Sequence, residues 1–409
     1  MTVRSLLAAF ALLAATALLA GCGAVQDAGD SASLAPASAR VLAELDGGLD
    51  SAQWHAAREL IDRFPDGSKV LDKLDEVEAV AGDRIVVVAL NDEEAVALTQ
   101  PRDAAKLRSL AAEYHLASRD VDGWTAVAEN TDTLAAYDRA LDSGTLDGDE
   151  RYEAARAELP DEALATVYSR GESDGEWTAL ALTAEDEGFR VAGHLRTASA
   201  TARPPLDPAL IGEVPADALA VLAFGGGKLP MELPNLLGID LAPLADVLSG
   251  GAVVWVRPGL LIPEVSAILP KANADDVDLL VRGLTGATPE AAQLDGQPAR
   301  RIKLGPVTLT YGELHGRLVL TTGDSLRAGG GLAGRSGFQE ARAKAGLPDS
   351  TGGFVYVDVQ QVASLLGFLG ALDPAPHRPS RNLERVRWLY AGYGGEGRDR
   401  EIAGFVAIR

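Results

Sequence analysis

Cysteine and histidine are both scarce in this sequence, and their scarcity excludes two kinds of stabilising site. Cys22 is the only cysteine among 409 residues, so we predict no internal disulfide and a fold that depends on packing. No two histidines stand at the spacing of zinc ligands, and the motif His-Glu-x-x-His does not occur. We therefore predict no metal site and no cofactor. The five histidines are His55, His115, His194, His315 and His377.

Positive charge is also in short supply. The chain carries 37 basic and 59 acidic residues, for a net charge of −22. Residues 22–204 hold 37 acidic and 17 basic side chains, whereas residues 205–409 hold 22 and 19. Because an acidic surface repels phosphate backbones, the composition argues against nucleic-acid binding. We interpret the acidic first half as a solubilising surface.

The N-terminus carries a short apolar segment that ends at the single cysteine. Arg4 supplies the positive start, and residues 5–20 form an apolar run too short to span a bilayer comfortably. The run closes with Leu19-Ala20-Gly21-Cys22, in which small residues suit a signal peptidase and the thiol can carry a diacylglyceryl thioether. The sequence predicts a bacterial lipoprotein with a signal peptide at residues 1–21 and lipidation at Cys22.

Lipid attachment predicts where the mature protein resides. Each buried methylene of an acyl chain such as palmitate contributes about 0.8 kcal/mol, so two or three chains hold a protein on a membrane. We expect a cell-envelope protein, anchored on the extracytoplasmic side. Gly23 replaces the aspartate that often marks inner-membrane retention, which favours the outer membrane or cell surface. Residues 22–39 are small and polar and predict a lipidated flexible tether, with folding beginning near Arg40.

Short motifs recur between the two halves of the chain, at two spacings. The pairs 188 residues apart are Leu159-Pro160-Asp161 with Leu347-Pro348-Asp349, and Val167-Tyr168 with Val355-Tyr356. The pairs 211 residues apart are Trp177 with Trp388, and Val191-Ala192-Gly193 with Ile402-Ala403-Gly404. The change in spacing implies an insertion between Tyr356 and Trp388. We interpret the chain as a diverged tandem duplication.

Prolines mark the boundary between the two copies. Pro204, Pro205 and Pro208 interrupt any regular element, so we place the boundary there. The predicted domains are a first repeat at residues 40–204 and a second at 205–409, with an insertion around residues 361–386.

Strand-like runs alternate with helical stretches in both halves. This pattern predicts an α+β fold, a tandem duplication of an antiparallel-sheet-plus-helices domain. The predicted helices include Ala52–Arg63 and Ala104–Tyr114. The predicted strands of the first half are Val41–Leu45, Ile85–Leu90, Trp124–Ala128, Ala163–Tyr168, Trp177–Thr183 and Phe189–Leu195. Those of the second half include Ala220–Phe224, Ala252–Arg257, Arg300–Lys303, Val307–Leu314 and Arg317–Thr322.

Several of these motifs resemble a known family. They are Val214-Pro215-Ala216-Asp217-Ala218 before a strand, Gln53-Trp54 with Arg63-Phe64-Pro65, and Leu-Pro-Asp followed by Val-Tyr. In these residues the chain resembles the exported bacterial family called domain of unknown function 3352, over most of residues 40–409. The first copy departs from the pattern, since Ala35-Pro36-Ala37-Ser38 stands where the second copy has Val-Pro-Ala-Asp. The resemblance implies an exported protein of uncharacterised role and no active site.

Two loops contain residue patterns similar to those of ligand-binding loops. Residues 329–336 fit the spacing of a phosphate-binding loop, except that Arg335 replaces the lysine. Such a loop must join a strand directly to a helix, whereas here the strand-like Leu318–Thr321 is followed by Gly323-Asp324-Ser325-Leu326-Arg327, which looks like a helix start. We therefore interpret residues 329–336 as a flexible interhelical loop.

The second loop contains four carboxylates that could bind calcium, Asp142, Asp147, Asp149 and Glu150. This acidic loop lacks the alternating ligand positions of an EF-hand, so we favour a solvated loop over a calcium site.

Aliphatic segments of the second half give the only positive hint of a ligand. Residues 229–248, 260–269 and 365–369 are richer in branched aliphatic side chains than one helix face requires. They could line a cavity for an acyl ligand, or cover the sheet as core. A basic cluster nearby could meet an anionic headgroup or the acidic first half of the chain. It consists of Arg378, Arg381, Arg385 and Arg387.

These features predict an envelope lipoprotein that acts as a non-enzymatic binding or scaffold module of uncharacterised role. Its expected partners are the membrane, through the lipid anchor, and an envelope protein or an apolar ligand. The alternative is a carrier of an apolar, lipid-like envelope ligand. A weaker alternative is an extracytoplasmic hydrolase.

Overall fold

The computed structural model has helices together with extensive antiparallel sheet, so the predicted α+β class is confirmed. The chain divides into two compact units, one of residues 1–200 with 397–409 and one of residues 201–396. The structure describes residues 28–409 except 49, 79, 81, 172, 199–203, 228–248, 260–261, 306, 327–330, 349, 373–380 and 396.

The described residues form helices and strands with the following bounds. The helices are α1 (Ala28–Leu34), α2 (Ala52–Asp62), α3 (Gly67–Glu78), α4 (Ala104–Glu113), α5 (Thr131–Leu141), α6 (Glu150–Ala157), α7 (Pro208–Gly212), α8 (Ala274–Thr285), α9 (Ser336–Ala345) and α10 (Val359–Leu372), with 3-10 turns at Leu332–Gly334 and Leu383–Arg385. The strands are β1 (Val41–Asp46), β2 (Arg84–Ala89), β3 (Ala95–Thr99), β4 (Ala117–Val121), β5 (Trp124–Ala128), β6 (Ala165–Arg170), β7 (Trp177–Glu185), β8 (Gly188–Arg196), β9 (Ala220–Phe224), β10 (Ala252–Arg257), β11 (Glu264–Leu269), β12 (Glu290–Leu294), β13 (Gln297–Leu304), β14 (Val307–Leu314), β15 (Arg317–Thr321), β16 (Thr351–Val357), β17 (Val386–Gly394) and β18 (Asp399–Ile408).

Side-chain caps fix where many of the helices begin. Ser51, Asp103 and Asn130 each accept a hydrogen bond from a backbone amide in the first turn of the helix that follows. Asn273 and Asp276 form a reciprocal capping box at the start of α8. Because the first amides of a helix have no partner within it, these polar residues set the helix starts.

The sheet of the first unit is antiparallel throughout, in the order β4-β5-β3-β2-β1-β6-β7-β8-β18. Its central strand β1 alternates between half-buried and buried residues, as expected of a strand whose two faces differ. One face packs against α5 and α6 through Tyr137 and Tyr152. The other packs against α2 through Trp54 and Leu60.

The N-terminal end of the first unit differs from the predicted tether over residues 22–39. Residues 28–34 form α1, and Leu34 and Ala35 are buried in the core. The hydroxyl of Tyr137 donates to the Leu34 carbonyl at 2.5 Å, and the Leu146 amide donates to the Ala35 carbonyl at 2.8 Å. The prediction was wrong for residues 28–39, because small alanines that suit a linker also suit close packing in a core.

The last strand of the chain belongs to the first unit. β18 pairs antiparallel with β8 over nine residue pairs, from Asp399 opposite Arg196 to Ala407 opposite Gly188. The sequence prediction assigned these residues to the second repeat, which it extended to residue 409. In the structure, residues 397–409 are grouped with the first unit, because their long-range pairing is with β8.

The sheet of the second unit is also antiparallel, in the order β12-β13-β14-β15-β11-β10-β9-β16-β17. Phe338 of α9 packs against Phe354, Tyr356 and Tyr390, with ring centroids 5.1–5.8 Å apart. A second cluster places Val277 and Val281 of α8 against the sheet. The chain has only eight phenylalanines and eight tyrosines, and this cluster holds four of them.

The strand orders of the two sheets have a common part. The order β4-β5-β3-β2-β1-β6-β7 in the first sheet matches β14-β15-β11-β10-β9-β16-β17 in the second. The second unit adds the hairpin β12–β13, and it adds α10 between β16 and β17. α10 falls within the stretch where the sequence echoes imply an insertion.

One predicted helix start was wrong. Ser325 and Leu326 are not helical, and the next α-helix of the described chain begins at Ser336. Leu326 is buried, and its amide donates to the Asp295 side chain at 3.1 Å. That contact comes from a residue distant in sequence, so local pattern did not reveal it.

In the described part of the chain, no helix is long and apolar enough to cross a bilayer.

Candidate functional site

The predicted lipidation residue, Cys22, lies outside the described residues. So do the aliphatic residues 229–248 and the basic residue Arg378. Within the described chain, the strongest concentration of buried ionisable groups lies in the first unit. It surrounds two carboxylates of β1.

Glu44 and Asp46, here called the β1 acidic pair, stand on the buried face of the central strand. The buried face of β1 carries Leu42, Glu44 and Asp46, which are 1%, 2% and 6% exposed. Successive residues of a strand point to opposite faces, so both carboxylates point into the same core. Burying a carboxylate is costly unless it is hydrogen-bonded or neutralised.

Glu44 is bordered by aromatic and basic side chains. It lies opposite Thr166 of β6 and accepts a hydrogen bond on Oε1 from the Tyr152 hydroxyl at 3.1 Å. Its Oε2 has no hydrogen-bond partner among the described residues. Burial raises the pKa of the Glu44 carboxyl above its usual value, and Arg156, the Tyr152 hydroxyl and Arg84 offset only part of that increase.

Asp46 ends β1 and organises the loop that follows. Its Oδ1 accepts the Gly48 amide at 2.6 Å, and its carbonyl accepts the Trp54 indole at 3.3 Å. Burial raises the pKa of Asp46 to about 6, and the negative charges of Asp83 and Asp50 add to the effect. The hydrogen bonds from Gly48 and Ser51 act in the opposite direction and are outweighed.

A pocket in this region is lined by Glu44, Tyr152 and Arg156 together with apolar side chains. Its volume is about 10 Å³, about the space that one water molecule needs. Sites for small-molecule ligands usually measure roughly 300–1,000 Å³. The pocket therefore leaves little room for a substrate beside Glu44, and Asp46 is not among its lining residues.

The acidic loop that could have bound calcium is occupied by its own chain. Asp149 caps α6 by accepting the Arg151 amide at 2.9 Å and the Tyr152 amide at 3.3 Å, and it pairs with Arg170 at 3.1 Å. Burial opposes ionisation of Asp149, but the hydrogen bonds from Arg151 and the two amides outweigh it and lower its pKa. Asp142 ends α5, Glu150 begins α6 and Asp147 lies in the loop between them.

The histidines stand apart from one another in the described chain. His194 lies in β8, 3.8 Å from Glu158, and His315 lies in the β14–β15 turn. His55 is in α2 and His115 follows α4, whereas His377 lies outside the described residues. No group of three or more histidine, cysteine or acidic side chains in the described part could hold a metal ion.

Of the residues with the phosphate-loop spacing, 329 and 330 lie outside the described residues, and Arg335 makes contacts within the fold. The strand before them, β15, does not lead directly into a helix, and Leu332–Gly334 form a 3-10 turn. Arg335 pairs with Asp358 and donates to the Ala216 and Ala218 carbonyls at 3.4 and 3.3 Å. The Arg335 guanidinium is therefore occupied by contacts within its own unit.

A spacing typical of serine hydrolases is also present, but it lies between two antiparallel strands. Gly171, Ser173 and Gly175 match the spacing Gly-x-Ser-x-Gly of a nucleophile elbow. An elbow joins a strand to a helix, whereas these residues join the antiparallel strands β6 and β7. The Ser173 amide donates to Glu176 Oε2 at 3.2 Å, and Gly175 has a φ of 80°. This is a hairpin turn.

The described members of the basic cluster do not form a common site. Arg387, in β17, pairs with Glu340 of α9 at 2.9 Å. Arg385 lies in the 3-10 turn before β17, and Arg381 precedes that turn on the surface. The aliphatic residues 264–269 form β11, and residues 365–369 lie in α10.

Sequence reasoning missed the β1 acidic pair. The signal was present, since Glu44 and Asp46 occupy the same face as Leu42 in an alternating strand. A polar residue at a core position of such a strand is a departure that marks a special environment.

Comparisons with known proteins add no relative. No family model, no curated protein and no solved structure matches the chain. The resemblance to the exported family named above stays a prediction.

Proposed function

We propose that this chain is a bacterial envelope lipoprotein, anchored through Cys22 on the extracytoplasmic side, that acts as a non-enzymatic binding or scaffold module. The observation that carries the proposal is the sequence Leu19-Ala20-Gly21-Cys22 at the end of a short apolar segment. Because the chain has no other cysteine, lipidation would leave the mature protein without a free thiol.

The described residues support a binding or scaffold role over catalysis. The β1 acidic pair is buried, and the pocket beside Glu44 measures only about 10 Å³. Asp149 and Arg335 are engaged in caps and ion pairs of their own unit. An extracytoplasmic hydrolase would need a nucleophile or base that a substrate can reach, so it remains the weaker proposal.

Labelling in the native envelope tests the anchor. Cells producing the chain or its Cys22→Ser variant would be grown with an alkyne analogue of palmitate, and the protein isolated from membrane and soluble fractions. We expect label and membrane association for the parent chain, and neither for the variant. Label on both chains, or on neither, would contradict attachment at Cys22. Crosslinking of the labelled protein in intact cells then identifies an envelope partner.

One observation favours a second candidate, a carrier of an apolar ligand. Leu222 lies in β9, an interior strand of the second sheet, and is 48% exposed, and its neighbours in register are Val254 and Val355. Val265 of β11 is 42% exposed. Aliphatic side chains that remain accessible on a sheet face can contact an acyl chain.

Native mass spectrometry separates the carrier from the scaffold. The exported chain would be analysed intact and after denaturation, with organic extraction of any released compound. A stoichiometric adduct of lipid mass, diminished in Leu222→Asp, supports the carrier. A clean protein mass would exclude it for the common lipids of the host.

We also propose that the chain arose by tandem duplication and belongs to the exported family that it resembles. The shared strand order of the two sheets and the recurring motifs support the duplication. The family assignment is supported by the motifs alone.

A further inference from the structure

The register of the ladder between β8 and β18 matches the 211-residue sequence echo. Ala192 of β8 lies directly opposite Ala403 of β18. These two alanines are also the matching residues of the 211-residue echo, in which Val191-Ala192-Gly193 recurs as Ile402-Ala403-Gly404. The ladder therefore pairs the two copies of one strand at their equivalent residue.

The same relation extends to the ends of the ladder. Gly188 pairs with Ala407, and Arg196 pairs with Asp399. At the 211-residue spacing, Asp399 is the equivalent of Gly188 and Ala407 is the equivalent of Arg196. Exchanging the two strands thus reproduces the same set of pairs. This is the property of an isologous contact, in which one surface binds a second copy of itself.

We propose that the β8–β18 ladder is an isologous dimer contact contained within one chain, and that the β8 edge binds β8 of a second copy when β18 is displaced. β18 then has two effects. It completes the sheet of the first unit, and it prevents the chain from pairing with another molecule. An uncovered strand edge offers unpaired amides and carbonyls to any similar strand.

The residues at the centre of the ladder can pair equally well with β18 of the same chain or with β8 of a second molecule. Ala192 and Gly193 of β8 correspond to Ala403 and Gly404 of β18, so a second β8 presents the same small residues. In a β8–β8 pair of the same register, Phe189 would lie opposite Leu195 of the other molecule. Both are apolar, which favours cross-strand contact.

The flanks of the ladder favour β18. Asp399 accepts from Arg196 Nε at 2.6 Å, and Glu401 lies opposite His194. The Arg190 guanidinium stands 5.4 Å from the centre of the Phe405 ring. A second β8 would instead place Arg190 opposite His194 and offer no carboxylate to Arg196. Charge therefore selects the strand of the same chain over a second molecule.

Displacement of β18 in the full chain tests this proposal. In a Cys22→Ser background, Ala192→Cys supplies the only thiol. The double change Ala403→Pro with Gly404→Pro removes two successive amides, and one of them must face β8 because the amides of a strand alternate in direction. We expect a monomer with β18 intact. With β18 displaced, we expect a dimer that mild oxidation joins by a disulfide between the two copies of residue 192.

A matched thiol at Leu195 distinguishes this dimer from aggregation. In the proposed pair, the two copies of residue 192 are directly opposite, whereas the two copies of residue 195 are about 20 Å apart. Leu195→Cys in the same proline variant should crosslink at least about tenfold less, since thiol bridging requires Cα atoms within about 7 Å. Equal crosslinking at both positions, or a monomer with β18 displaced, would overturn the proposal.

A milder variant keeps the test valid if the prolines unfold the chain. Phe405→Ala leaves every backbone amide in place and removes a ring that is 98% buried, with 2% exposure. We expect a smaller dimer fraction than in the proline variant, again crosslinked through Ala192→Cys and not Leu195→Cys. Circular dichroism on each variant establishes that it is folded, and a folded Phe405→Ala chain that stays monomeric at all concentrations counts against the proposal.

Discussion

Replacing Asp46 by asparagine should stabilise the protein near neutral pH. The pKa of Asp46 is about 6 in the folded chain, against an ordinary value of 3.8. The folded state therefore binds more protons than the unfolded state between these values, so the free energy of unfolding falls as pH rises through 6. The full difference corresponds to about 3 kcal/mol, and solvent at the end of β1 reduces it to about 1–2 kcal/mol. Asparagine keeps an acceptor for the Gly48 amide and carries no charge.

Urea unfolding followed by tryptophan fluorescence measures this effect. Trp54 donates to the Asp46 carbonyl, so its fluorescence reports on the same region. Between pH 3 and 7.5, we expect the parent chain to lose stability as pH rises and Asp46→Asn to lose about 1–2 kcal/mol less. The two chains should be equally stable near pH 3, below the ordinary pKa of 3.8, where Asp46 is protonated in both the folded and the unfolded chain. Equal slopes for the two chains, or an asparagine variant less stable at pH 7.5, would refute the burial argument.

Three further substitutions, the last with a matched control, test other parts of the fold. Glu44→Gln should also stabilise the chain at pH 7.5, because burial raises the Glu44 pKa, and a loss of stability there would contradict the assignment. Asp149→Ala should cost about 1–2 kcal/mol through the lost cap of α6, measured by urea unfolding, and no loss would mean that Arg151 and Arg170 do not depend on it. Phe338→Ala should cost about 3–5 kcal/mol, whereas Leu279→Ala, at a residue 72% exposed, should change stability little; similar losses would contradict the packing described for α9.

Several strands were predictable from the sequence. Trp124–Ala128, Ala220–Phe224 and Val307–Leu314 begin and end in the structure where the sequence runs do. Each is a short run rich in apolar, β-branched or aromatic residues, so local composition carries the information even though their burial does not alternate strictly.

Other features depend on contacts between distant residues. Ala35 is buried because Leu146 and Tyr137 approach its segment, and small residues alone do not predict this. The pairing of β18 with β8 joins residues about 200 positions apart in the chain. The β1 acidic pair was visible as charged residues on the buried face of a strand, but the raised pKa values come from burial in the folded chain, which brings Tyr152 beside Glu44 and Asp83 near Asp46. Local pattern cannot supply such contacts.

Mass spectrometry of the N-terminal peptide from the native membrane tests the central proposal most directly. Digestion of the purified protein should yield a mature chain that begins at Cys22 and carries a diacylglyceryl group on its sulfur. A mature N-terminus at any other residue, or a Cys22 peptide with an unmodified thiol, would contradict the account of this protein as a lipoprotein.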